Sequence, residues 1–168
     1  MKKLYILFLL LSFLSCSNDD DNGNEDCDPE MNVGFFLENS SIAVSESDPV
    51  QYAIEDGEDL VFIYSFIGAQ CDHIADDEYG ENVIFQIDPE IDEFSYEDEE
   101  LSEIKAHFKP VSAWISRVAI PIENGVISGE RLNSTLYHVN IDVNVELGND
   151  EIREIAYEAD FQVQTLEQ

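Results

Sequence analysis

Tyr137, Val139, Ile141, Val143, Val145 and Leu147 alternate with His138, Asn140, Asp142, Asn144 and Glu146. Apolar residues repeating at a period of two predict a strand with one face on a core and the other in water. Gly148-Asn149-Asp150 reads as a turn. Ile155, Tyr157, Ala159, Phe161 and Val163 then alternate with Ala156, Glu158, Asp160 and Gln162, so the two runs form a β-hairpin. Residues 60–67 are apolar at both parities and rich in β-formers, which predicts a central strand buried on both faces. Residues 83–87 predict another strand. Ile104, Ala106 and Phe108 alternate with Lys105, His107 and Lys109, which places two lysines and a histidine on a polar face. Residues 111–120 continue as a strand into Pro121, and residues 126–129 form a short strand or the entry to one. Residues 35–37 and 50–54 supply the first strands. The best helical stretch is residues 95–104, with Ser95 as N-cap and acids in the first turn. Its helical face carries charge without an apolar stripe, so the expectation is one or two turns.

Seven or eight short strands joined by Gly, Asn, Asp and Pro turns predict an all-β fold. The expected architecture is an antiparallel β-sandwich, immunoglobulin-like in general form, with a small β-barrel as the alternative.

The N-terminus follows a different pattern. Met1-Lys2-Lys3 precedes an apolar run over residues 4–14, broken only by Ser12, and Ser15-Cys16 follows. The run is shorter than the roughly 20 residues a membrane-spanning helix needs, and its flanks are those of a secretory signal peptide. Leu14-Ser15-Cys16 resembles the lipobox of bacterial lipoproteins, although Phe13 stands where that family prefers Leu. Ser17-Asn18-Asp19-Asp20-Asp21 resembles the acidic export signal of surface-exposed outer-membrane lipoproteins of the Bacteroidota type. The resemblance implies lipidation of Cys16, with diacylglycerol on the thiol and an acyl chain such as palmitate on the new amine. Several chains on one cysteine give a stable anchor where a single chain is marginal. It also implies export to the outer face of the outer membrane. Three segments result: a signal peptide over 1–15, a lipidated acidic tether over 16–30, and one domain over 31–168.

Charge sharpens the partner classes. The chain has 38 acidic residues against seven Lys and Arg, a formal charge of -31. No Lys or Arg occurs between Cys16 and Ile104, whereas five follow from Lys105 onward. Nucleic-acid binding needs clustered cations and is excluded as an expectation. The remaining partners are the membrane, through the anchor, and envelope proteins or glycans.

With Cys16 acylated, Cys27 and Cys71 form an even pair in an oxidising compartment, which predicts one disulfide. The densest set of candidate ligands is Asp72, Asp76, Asp77, Glu78 and Glu81. Calcium takes six to eight oxygens, and clustered carboxylates supply them, so this stretch is a candidate calcium site. Asp88, Glu90 and Asp92 could complete it, although the spacing is not that of an EF-hand. The same acids also read as a solvated surface loop. Lys105, His107 and Lys109, with Arg117 nearby, most simply pair with carboxylates on a neighbouring strand. Tyr137, Tyr157 and Trp114 read as core residues. No GxSxG, P-loop, GxGxxG or HExxH motif occurs, which points away from an enzyme. The expectation is a lipid-anchored surface binding or structural module. A calcium-dependent adhesion or glycan-binding domain is the second reading, and a small hydrolase using a carboxylate pair is the third.

Overall fold

The computed structural model describes residues 27–45, 49–71, 79–112, 118–148 and 151–165. The expected signal peptide, Cys16 and most of the expected tether lie outside the described residues, as do Asp72, His73, Asp76, Asp77, Glu78, Trp114 and Arg117.

The protein is all-β, and twelve strands run in chain order. They are β1 (Cys27–Asp28), β2 (Met31–Val44), β3 (Tyr52–Asp56), β4 (Asp59–Ile67), β5 (Gln70–Cys71), β6 (Gly80–Ile87), β7 (Glu93–Glu97), β8 (His107–Val111), β9 (Ile120–Pro121), β10 (Asn124–Asn133), β11 (Leu136–Gly148) and β12 (Glu151–Gln164). β1 and β5 form a two-stranded sheet. The other ten form one sheet of order β7-β10-β11-β12-β2-β4-β6-β8-β9, with β3 paired to the second half of β2. Every ladder is antiparallel except β12 with β2, which pairs in parallel at Phe35–Gln162, Phe36–Val163 and Leu37–Gln164.

The sheet curls into a half-barrel. Phe94 on β7 lies five strands from Phe62 on β4, a span of roughly 24 Å in a flat sheet. Their ring centroids are nevertheless 6.0 Å apart, and Phe62 lies 5.2 Å from Tyr137 of β11. The inner face is one core, built from Phe36, Phe62, Phe85, Phe108, Phe161 and the apolar parity of β11. The sandwich and barrel expectations thus meet in a single sheet whose two halves face each other. Gly34 leaves room on β2 for the Phe161 ring of the adjacent β12, which lies 2.6 Å from where a Cβ would stand.

β4 is buried on both faces, as its unbroken apolar run predicts. Leu60, Phe62 and Tyr64 face inward, while Val61 and Ile63 join a second cluster with Leu37, Ile42 and Ile84. β2 builds that cover by bending at a bulge between Leu37 and Ser40, where Asn39 takes a φ of 52°. Its second half, with Tyr52 and Ile54, then packs over the outer face.

The sheet's two edges are β7 and β9. Between them the chain forms a 3-10 turn, Asp98–Ser102, that buries Leu101. Ser95 is not its N-cap, because Ser95 pairs with Ser128 inside β7. Sheet pairing outcompetes helix until Glu97, which caps the turn reciprocally with Glu100. The backbone of Gln86 donates to Ile104 O at 2.8 Å and Ile122 donates to Ala106 O at 3.0 Å, so residues 103–106 close this half of the seam.

The strand expected from Ile104 begins at His107 instead. Lys105 sits before it with a φ of 50° and donates to Ile42 O at 2.7 Å. Lys109 lies over the Tyr52 ring at 4.9 Å. The partners of these lysines are therefore a carbonyl and an aromatic face of the outer cover, where carboxylates were expected. His107 is buried rather than exposed, and its Nδ1 contacts Lys105 O at 2.8 Å. The cover over the outer face explains this burial, since a period-two reading assigns that face to water.

Candidate functional site

β11 and β12 outrun their neighbours. The ladder of β11 with β10 ends at Asn144, and that of β12 with β2 begins only at Gln162. Among the described residues, 145–148 of β11 thus ladder only with β12, and 151–161 of β12 ladder only with β11; this stretch is the arm. The arm crosses the end of the half-barrel where β2 begins and β4 ends. Cys27 and Cys71 are disulfide-bonded at that same end, joining the last of the spacer to the domain.

Two contacts pin the arm. Tyr157 packs on Tyr64, ring centroids 4.4 Å apart, and Tyr64 donates its hydroxyl to Asn32 Oδ1 at 2.8 Å. Arg153 meets Glu81 through Nε–Oε1 at 2.8 Å and Nη2–Oε2 at 2.9 Å. Glu81 has the inward parity of β6, in register with Phe66 on β4 and Pro110 on β8, and only 1% of its side chain is exposed. Tyr79 donates its hydroxyl to Glu81 Oε1. Both carboxylate oxygens are therefore satisfied, one of them twice. A buried carboxylate is tolerable when paired and hydrogen-bonded, and costly when either is lost.

This arrangement sets protonation states. Burial pushes the Tyr79 hydroxyl up to about 12, and donation to the Glu81 carboxylate adds to the effect. Tyr64 is raised by burial first and then by the Glu81 charge. Arg153 is raised, chiefly by its hydrogen bonds to Glu81. At neutral pH the tyrosines are donors and the arginine is a fixed cation.

Beside this cluster lies a pocket of about 580 Å³. Its wall is apolar: Phe108 and Pro110 of β8, Val118 before β9, Ile120 of β9, and Leu147 of the arm. Tyr79 lies on one side, and Glu146, Gly148 and Glu151 form the rim. The pocket occupies the half of the seam that the 3-10 turn does not reach. A shallower groove continues from it past Pro121, Glu123 and Asn144.

Of the proposed calcium ligands, Asp72, Asp76, Asp77 and Glu78 lie outside the described residues, whereas Glu81 is committed to Arg153 and Tyr79. Glu81 is the second residue of β6 and Asp88 follows its last residue, so about seven strand residues, roughly 24 Å, separate Glu81 from the second acidic stretch. There Asp88 Oδ1 accepts from Glu90 N at 2.8 Å and Asp92 pairs with Arg131 at 3.2 Å. Among the described residues no group of three His, Cys, Asp or Glu is placed to hold a metal ion. His138 lies on the polar face of β11, with Nδ1 2.8 Å from Asp160 and Nε2 3.1 Å from Glu158. These hydrogen bonds, Asp160 first, raise its pKa. Tyr137 is a core residue, 1% exposed, and Tyr157 is half-buried against the core.

The Glu81–Arg153 pair is absent from the sequence reading. Its signal is an acid continuing the parity of Val83, Phe85 and Ile87, and a base continuing that of Ile155 and Tyr157. A charge on an apolar parity at a strand end marks a place where the core gives way to a polar closure.

No family model, curated protein or solved structure matches the chain. Among the described residues no helix is long and apolar enough to cross a membrane.

Proposed function

We propose that the protein is a lipid-anchored binding module at the outer-membrane surface, with the tether-end pocket as its ligand site. The observation that carries this reading is an apolar wall left open beside a satisfied ion pair, at one end of a packed aromatic inner face. Concave, mostly apolar sites with a few fixed polar groups are where small ligands bind. The acidic rim also disfavours anionic ligands.

Two measurements test the reading separately. Palmitate labelling in cells should depend on Cys16 and should reveal globomycin-sensitive processing; a Cys16→Ser chain that is labelled like the wild type would remove the anchor. Methyl NMR of the mature chain against small apolar ligands should show shifts concentrated on Val118, Ile120 and Leu147. A panel producing no shift at these methyls would remove the pocket as the site.

A further inference from the structure

We infer that the pocket takes a small organic cation, an alkyl or aryl body bearing a protonated amine. This rests on the pocket being the ligand site and names the chemistry it selects. The body is set by the wall, where Phe108, Pro110, Val118, Ile120 and Leu147 supply apolar surface and no carboxylate. The charge is set by the rim. Glu81 is neutralised by Arg153, and Tyr79 keeps its proton well above neutral pH. What remains are Glu146 and Glu151, both exposed, at the tip of the arm, and neither has an ion pair among the described residues. An anion is repelled there. A bare metal ion finds carbon where it needs several oxygens. A neutral apolar molecule gains the wall alone, whereas an amine gains the wall and two carboxylates at its mouth.

The test compares n-hexylammonium with its neutral isostere n-hexanol, read at the Val118, Ile120 and Leu147 methyls. The mature chain carries Cys16→Ser, so that no micelle competes for the probes. At low salt the ammonium should bind at least tenfold more tightly than the alcohol. That margin should vanish in Glu146→Gln/Glu151→Gln. It should also vanish in about 1 M salt, where the screening length falls to about 3 Å. The salt arm needs no variant, and Leu147→Trp should block both probes by filling the pocket. Equal binding of the two probes would overturn the cation and leave the pocket standing as a ligand site. Binding of neither would overturn both. Ammonium binding that emerges only in Arg117→Ala would mean that the chain's own guanidinium takes the place, and would overturn an external ligand.

Discussion

Arg153 and Arg131 stand towards opposite ends of the inner face, each beside a tyrosine and a carboxylate. At the tether end the carboxylate is the buried member: Glu81 is 1% exposed while Arg153 is 43% exposed. At the far end the phenol is buried instead. Tyr137 is 1% exposed, accepts from Arg131 Nε at 2.5 Å and stacks beneath that guanidinium, whereas Asp92 is 78% exposed. Arg131 also donates to the carbonyl of Pro89, tying down the turn after β6. The same three residue types therefore do two jobs. Around Tyr137 they cap a filled core, because the element under the arginine is an aromatic ring. Around Glu81 they bridge two separate elements, β6 and the arm, and leave a pocket beside the bridge.

The sharpest way to break this symmetry is to remove each arginine in turn. Arg153→Met leaves a buried carboxylate without its cation, and we expect a loss of about 3–5 kcal/mol. Adding Glu81→Met should restore much of it. Arg131→Met removes a surface ion pair and hydrogen bonds to a phenol and to the Pro89 carbonyl but strands no buried charge, and should cost only about 1–2 kcal/mol. Urea unfolding of the set decides; equal losses from the two single variants would show that burial of the carboxylate is not what separates the ends.

A second prediction concerns the brace that only the tether end possesses. Replacing Cys27 and Cys71 with serine opens a loop with a sequence separation of 44. The chain-entropy account assigns such a loop about 4 kcal/mol, with roughly 2–4 kcal/mol usual in practice. The loss should be measurable by unfolding with and without reductant. A serine pair as stable as the oxidised wild type would remove the brace from the account.

The smallest effect is in pH. The Tyr79 hydroxyl titrates near 10 in the unfolded chain and is pushed up to about 12 in the folded one. A raised folded value gives stability that is complete below pH 10 and is lost as pH climbs through 12. At Tyr137 burial also raises the hydroxyl, but Arg131 opposes the shift. Tyr79→Phe should therefore flatten the alkaline fall between pH 10 and 12. An unchanged alkaline limb in that variant would place its origin in the other buried tyrosines.

The strands were legible wherever one parity met the core and the other met water. β11 and the doubly buried β4 fall within a residue or two of the apolar runs that predict them, and β12 begins four residues before its run. The disulfide was legible from the cysteine count together with the expected oxidising compartment. What escaped notice depends on contacts between distant segments. His107 is an ordinary polar-face residue until the bent half of β2 and the segment around Tyr52 cover it. Ser95 is a plausible cap until β10 claims it as a strand partner. The pocket arises because the ladder with β10 stops at Asn144 of β11 while β11 runs on, a mismatch of ladder lengths that no single strand reveals. The pair that closes the end joins positions separated by 72 residues. Each charge is visible as an exception on its own strand, and only the curl of the sheet brings them together.

The attachment of the spacer has a mechanical side. A pull on the residues before Cys27 reaches the domain through β2, which is laddered to β4 from Met31 through Leu37 and to β12 at Phe35, Phe36 and Leu37. Those hydrogen bonds lie across the direction of the pull, so tension along β2 must shear them together and cannot open them one after another. The Cys27–Cys71 bond also diverts part of the tension into β5, a few residues beyond the end of β4. Two neighbouring strands then carry traction that would otherwise fall on the first turn of the chain.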